Sequence, residues 1–328
     1  MQSMLKVGRA IFLGLLLLLL AVGESLAQPA EPFRIRNLNP LVAIFGLPAW
    51  ETVNSGTAFG ATVEVGNHYR LSRRGNDVLV LDGETLRTTL AFTHGFAERW
   101  AVGAELPHYQ LSGGVLDDLI DGWHSAFGMP DGGRNNRPED ELLFLIGDQA
   151  GVFFELDRRQ RGFGDVQLKL ARAIGPDQGF VVQGTVKVPT GDEGMLAGSG
   201  SADWSLTLLR SRELRLGNRP AGFFWGAGLL RAGEPEPIDF AAETLVYTGV
   251  VGGSWEIRPR FGVKAQLDFH SPFFNTPLEE LGENAIQATV GGWFRANERS
   301  VIEFALVEDL EVSTAPDVVL HVAARWLW

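Results

Sequence analysis

Apolar residues that return at every second position describe a strand and not a helix, and period two runs through most of this sequence. In residues 261–270, Phe261, Val263, Ala265, Leu267 and Phe269 alternate with Gly262, Lys264, Gln266, Asp268 and His270, so one face is apolar and the other polar. The same pattern sets Val166, Leu168 and Leu170 against Asp165, Gln167 and Lys169. It sets Val182, Val186 and Val188 against Gln183, Thr185 and Lys187, and Ala61, Val63 and Val65 against Thr62 and Glu64. It recurs where Leu86, Leu90 and Phe92 oppose Arg87 and Thr89, and where Ile302, Phe304 and Leu306 flank Glu303. A soluble sandwich also alternates, so the period alone leaves two fold classes open.

The connections separate them. Twelve candidate strands fall at residues 57–71, 84–95, 99–112, 162–174, 178–190, 201–212, 220–232, 242–256, 260–271, 283–295, 299–308 and 316–328. Short links at 95–99, 175–178, 258–260 and 297–300 alternate with long ones at 113–161, 191–200, 233–241 and 272–282. Short turns on one side and long loops on the other predict an all-β, antiparallel up-and-down transmembrane barrel of the outer membrane, with both termini in the periplasm.

The two ends of the chain agree. Lys6 and Arg9 precede an apolar run, residues 10–22, and Ser25-Leu26-Ala27 offers small residues for cleavage between Ala27 and Gln28, so residues 1–27 read as a signal peptide and the destination as the Gram-negative cell outer membrane. No second apolar run is long enough for a membrane helix, and only a closed barrel could otherwise cross. At the other end Val318, Leu320, Val322, Ala324, Trp326 and Trp328 share one face, with Asp317, His321 and Arg325 on the other. An alternating strand closing on Trp326 and Trp328 resembles the signal read by the barrel assembly machinery. Tyr69, Trp100, Tyr109, Trp255, Phe273, Phe274 and Trp293 stand near strand ends, where aromatic girdles meet the lipid interface.

Composition excludes other classes. Lysine and arginine number 28 and aspartate and glutamate 40; without Lys6, Arg9 and Glu24 these become 26 and 39, a mature net charge of −13 that makes nucleic acid a poor partner. With no cysteine there is neither a disulfide framework nor a thiolate metal site. No cofactor is called for; the expected partners are outer-membrane lipid, the assembly machinery and small solutes.

Two regions break the strand pattern. Residues 28–56, ahead of a barrel at 57–328, carry Pro and Gly unsuited to a membrane strand and lie either in the periplasm or tucked into the lumen. Within the long loop 113–161, Val115, Leu116, Leu119, Ile120, Trp123 and Phe127 recur at helical spacing, so residues 114–128 read as an amphipathic helix that packs over the barrel mouth, folds into the lumen or lies in the membrane interface. Segments 142–146 and 152–156 add a hairpin to this loop cap.

Inward positions carry both signs: Glu64, Glu105, Asp165, Asp268, Glu303 and Asp317 against Arg87, Lys169, Lys187, Lys264, His321 and Arg325. Twelve strands lie between the eight that side chains fill and the sixteen that leave an open channel. The interior is therefore either a narrow polar pore or a network of ion pairs closed by the N-terminal segment or the long loop.

Several strings then resemble a family. Asn37-Leu38-Asn39-Pro40, Phe45-Gly46-Leu47-Pro48, Leu116-Asp117-Asp118, His124-Ser125-Ala126-Phe127-Gly128, Asp131-Gly132-Gly133-Arg134 and Gly164-Asp165-Val166 are similar to the Gram-negative domain of unknown function 3187 family. That resemblance spans nearly the whole mature chain and implies a barrel without an assigned activity. Gly164-Asp165-Val166-Gln167-Leu168 with Val188-Pro189-Thr190-Gly191-Asp192 also resembles, over two strands and a loop, a group of phenol meta-pathway outer-membrane transporters. This second likeness implies passage of small, hydrophobic solutes, so a gated or plugged conduit leads, and a structural barrel whose cap binds an envelope partner is the alternative.

Enzymatic chemistry finds little footing. The twelve-strand phospholipase fold of the outer membrane needs a Ser and a His at the rim; His94, His108 and Ser112 are the candidates for a lipid hydrolase, but no acid or amide sits at matched depth to orient them. Asp117, Asp121 and His124 share a helix face at metal-ligand spacing, which a solvated acidic face explains as well. Gly198-Ser199-Gly200 lacks the lysine and the βαβ frame of a phosphate loop.

Overall fold

Alternating segments pair edge to edge until the last meets the first. The computed structural model describes residues 30–114, 141–148, 151–236, 238, 240–310, 315, 316 and 318–328. Its strands are β1 (Gly56–Arg74), β2 (Asp77–Phe96), β3 (Trp100–Ser112), β4 (Leu143–Asp148), β5 (Gly151–Leu156), β6 (Gln160–Phe163), β7 (Val166–Ile174), β8 (Phe180–Val188), β9 (Asp203–Leu216), β10 (Arg219–Arg231), β11 (Leu245–Arg258), β12 (Phe261–His270), β13 (Ala285–Arg295), β14 (Ser300–Asp309) and β15 (Val318–Leu327). β1 pairs with β2, β2 with β3, β3 with β7, and each strand from β7 to β14 with its successor. β15 then returns to β1, antiparallel, with His321 opposite Glu64. Twelve strands thus close a barrel, and closure leaves no backbone edge facing lipid.

The two faces invert the pattern of a soluble protein. On β7, Gln167 and Lys169 are each 7 % exposed while Leu168 and Leu170 are 50 % and 48 % exposed. Leu90, Trp204, Leu206, Val263, Leu267, Val290 and Leu320 stand on the outside in the same way. A polar inside with an apolar outside is stable only where the outer surface meets hydrocarbon.

Three local differences from the sequence reading have physical causes. β1 and β2 run on past the expected limits and join through Gly75 and Asn76, with Arg74 opposite Asp77; Gly75, at φ +59°, makes the tight turn possible. The upper part of β2 carries the β4–β5 hairpin, with Val78 opposite Gly147 and Asp82 opposite Leu143. The expected single strand at 162–174 is interrupted at Gly164 and Asp165. Across from the break, Pro107 of β3 has no N–H to give, and its carbonyl takes the Gly164 N–H at 2.8 Å.

Most of the expected girdle aromatics lie inside instead. Tyr69, Tyr109, Phe273, Phe274 and Trp293 are buried, whereas Trp255 is 42 % exposed. Tyr109 and Trp293 fall on the inward parity of their strands, and Phe273 and Phe274 belong to a loop folded over the barrel end, where Phe45 stacks on Phe273 at 4.5 Å. Phe59, Phe163, Trp204, Tyr247 and Trp328 are among the aromatics that do face outward.

Residues 30–55 run inside the ring. Phe33, Leu38, Leu41 and Ala49 have no exposed surface, and the segment touches strands all around the wall. It ascends past β15, β12 and β3, turns through α1 (Pro40–Ala43), whose N-cap Asn39 accepts the Leu41 N–H, and descends past β8 and β10. Near the turn, Leu41, Val42, Ile44, Phe45 and Leu47 join Leu79, Leu111, Phe144, Leu230, Phe273 and Leu281 in an apolar core. Lower down, Trp50 packs with Leu209, Phe224 and Val250, and Phe33, Ile35 and Leu38 pack with Val307 and Val319.

Candidate functional site

Between these apolar contacts the segment is held by charge. Arg36 donates to Glu105 of β3 and, at 3.2 Å, to Gln167 of β7. Lys169 lies 2.5 Å from both Glu105 and Glu51, and Arg34 is 3.7 Å from Glu51, so two acids and three cations knit segment to wall. At the turn, Lys187 Nζ reaches the Ile44 carbonyl at 3.0 Å, Asp165 at 2.7 Å and Ser199 Oγ at 2.5 Å, with Asp203 at 3.2 Å. Asp203 also accepts the Gly46 N–H at 2.7 Å. A buried charge without a partner is costly, and here each of these charges has one or more.

Other wall charges pair as well, Asp268 excepted. Glu64 meets Arg87 at 2.5 Å and His321 at 3.2 Å; Lys264 meets Glu303 at 2.6 Å and lies 4.3 Å from the centre of the Phe33 ring. Arg325 forks onto Glu31 at the end of the barrel where β1 begins and β15 ends. Burial pushes the Glu31 carboxyl up, but Arg325 and Arg34 together hold the group below the ordinary carboxylate range. Glu31 also lines a cavity of about 440 Å³ at that mouth, with Ala30, Thr52, Asn54, Ser211 and Arg212.

Glu64, Arg87, Glu105, Lys169, Lys187, Lys264 and His321 are buried against the lumen. Asp268, Glu303 and Arg325 are partly open to it. Asp165 leaves the strand ladder at the β6–β7 break and turns its carboxylate to the Thr190 and Gly191 N–H groups at 2.9 and 2.8 Å. Asp317 lies outside the described residues, as do residues 1–27 expected as a signal peptide, the residues expected to form a loop cap, Leu116, Leu119, Ile120, Trp123 and Phe127, and the candidates Asp117, Asp121 and His124. Trp326 and Trp328 stand at the β15 end with ring centres 5.1 Å apart.

A sequence profile described as a protein of unknown function (DUF3187) matches residues 16–328. The chain belongs to the DUF3187 family. Among solved structures, this DUF3187 barrel is similar to the COG4313 outer membrane channel from Pseudomonas putida F1, at 11 % identity and a TM-score of 0.51 over 87 % of this chain and 98 % of that one. It is also similar to the NanC porin, at 8 % identity and a TM-score of 0.44 over 83 % and 100 % of the two chains. With the CymD monoaromatic hydrocarbon channel it shares 12 % identity and a TM-score of 0.38 over 92 % and 95 %. The first likeness is one of fold, an outer-membrane channel barrel. No curated protein sequence matches the chain.

The rim residues weighed for hydrolysis do not come together. On paired strands β2 and β3, His108 is opposite Thr88 and His94 opposite Val102, six residues apart along the wall, or about 20 Å. His94 is 2.9 Å from Thr57 Oγ1, and His108 meets the edge of Phe163. Among the described residues no cluster of three His, Cys, Asp or Glu is placed to hold a metal. Sequence reasoning named most of the wall charges but missed their partners within the segment, Glu31, Arg34, Arg36, Asn37 and Glu51. Charges set within so apolar a stretch were the available signal.

Proposed function

We propose that this DUF3187 barrel is a plugged outer-membrane conduit for small solutes, whose N-terminal segment closes the lumen and moves for passage. In this reading the chain reaches the outer membrane after cleavage between Ala27 and Gln28, and a mature chain beginning at Gln28 is its mark. The observation that carries the proposal is the chemistry of the wall behind the segment. A surface covered permanently gains nothing from ionic lining, because apolar packing is often as stable or better. Yet this wall presents Glu105, Gln167, Lys169, Gln183, Thr185 and Lys187 to its occupant. Thr89, Ser205, Thr248 and Thr289 also bury hydroxyls with no partner among the described residues, which suits a surface that water wets in another state.

The turn of the segment supports the second reading, a closed barrel that serves as an interaction platform, since there the contact is an apolar core and not a polar one. Liposome swelling separates the two. Glu105→Gln removes the shared carboxylate of Arg36 and Lys169, and loss of one partner of a buried pair costs about 3–5 kcal/mol. Swelling in small sugars is expected to quicken several-fold relative to the parent protein, with Asp157→Asn on the outer loop as a neutral control. Unchanged swelling from a folded Glu105→Gln protein favours the platform.

A further inference from the structure

Asp268 is a lumenal acid that the closed barrel does not serve. Its carboxylate points inward from β12 and takes a hydrogen bond from Gln266 Nε2 at 2.7 Å, and no charged group among the described residues acts on it. The acids around it differ. Glu303 has Lys264, Asp165 and Asp203 share Lys187, Glu64 has Arg87, and Glu105 has Arg36 and Lys169. Lys264, four residues along the same strand, is committed to Glu303 and the Phe33 ring.

The surroundings of Asp268 repeat the shortage. Gln287 lies directly opposite on β13; it is 3 % exposed, and its amide Nε2 has no partner among the described residues. Thr289, opposite Gln266 on the same strand, has no exposed surface, and its hydroxyl is unpartnered. On the other flank, Thr248 of β11 lies opposite His270 with its hydroxyl likewise unpartnered. His270 itself is occupied, since Nε2 faces Asn37 Nδ2 at 2.9 Å and Nδ1 faces the Ser271 carbonyl at 2.9 Å.

The inserted segment offers no remedy. Phe33 is tied to Gln266 through both its N–H and its carbonyl, and Asn37 is tied to His270. The segment residue level with Asp268 is therefore Ile35, which is buried and apolar. Asp268 is nevertheless only partly buried, so the segment does not seal it off completely.

A carboxylate removed from bulk water and facing no cation either takes up a proton or holds a cation from outside. The neighbours point to the second. The Asp268 carboxylate, the Gln287 amide through its oxygen and the Thr289 hydroxyl form an oxygen set that suits hard cations and ammonium donors, and Asp309, opposite Gln287 on β14, adds to the negative field there. We propose that Asp268, Gln287 and Thr289 form a binding site in the lumen for a small monovalent cation, an alkali ion or the primary ammonium group of a solute. The site itself does not require that the barrel conduct. Its use as the element that favours cationic solutes rests on the conduit reading.

Thermal unfolding of the full mature chain in detergent, followed by heat-modifiable migration, tests the site without any need for conductance. A ligand that binds the folded state raises the midpoint with concentration. Potassium chloride or methylammonium chloride is expected to raise it by several degrees over choline chloride at equal ionic strength, since the methyl groups of choline keep its charge from close approach. Whichever salt acts identifies the source as an alkali ion or an ammonium group. Asp268→Asn, equal in shape, is expected to abolish the difference, and Gln287→Leu to reduce it. Equal midpoints in the three salts for the parent protein, or an undiminished response in Asp268→Asn, overturns the site. Failure of conduction is read separately, by Glu105→Gln in the swelling assay.

Discussion

Gln266 and Leu267 are neighbours in sequence and sit in opposite solvents. Leu267 is 43 % exposed on the outer face, and Gln266 is 3 % exposed and bonded to Phe33. Leu267→Arg is expected to cost about 2–4 kcal/mol if its position is near the membrane midplane, measured by urea-dependent refolding into lipid vesicles. Gln266→Leu is expected to shift that transition less while raising hydrogen exchange at Phe33, because it removes the acceptor of the Phe33 N–H and a donor that the Phe33 carbonyl shares with Asp268. Such facing assignments were legible in the sequence, because parity in a strand has only two settings. Partners were not legible. Nothing in the spacing of Glu105 and Lys169 announces that Arg36 and Glu51 join them, since the inserted segment has no period that fixes which wall residues it meets.

At the scale of elements, the twelve wall strands follow from alternation and connection length, whereas the exceptions follow from single residues. Pro107 cannot donate to its neighbour, and the strand opposite breaks at Gly164 and Asp165. Gly75 permits a turn where a longer loop was expected. The inserted segment is an element without secondary structure over most of its length, and its hold on the barrel depends on side-chain charge. Glu31 anchors its base through Arg325. The folded carboxyl sits below its ordinary value, so its contribution is present above the unfolded value and is lost as pH falls through the folded one. Protection of residues 31–38 in hydrogen exchange, corrected for intrinsic rate, is expected to hold from pH 7 to about pH 5 and to weaken below about pH 4. Protection that instead weakens as pH rises through neutrality would assign the anchor elsewhere.

The molecule as a whole is a polar-lined barrel filled by its own N-terminal segment, closed by an apolar core where that segment turns and by ion pairs along its limbs. These two kinds of contact differ in how they release. The ion pairs can exchange partners for water at modest cost once the segment shifts, whereas the core around Phe45, Phe273 and Phe274 must expose apolar surface. On the proposed conduit reading, opening begins along the limbs. Single-channel recording tests this account most directly, with the mature protein compared with a variant lacking residues 31–50 whose barrel is shown by heat modifiability to be folded. The account predicts brief, rare openings for the intact protein and a steady, larger conductance for the variant. A folded variant as silent as the intact protein would contradict it.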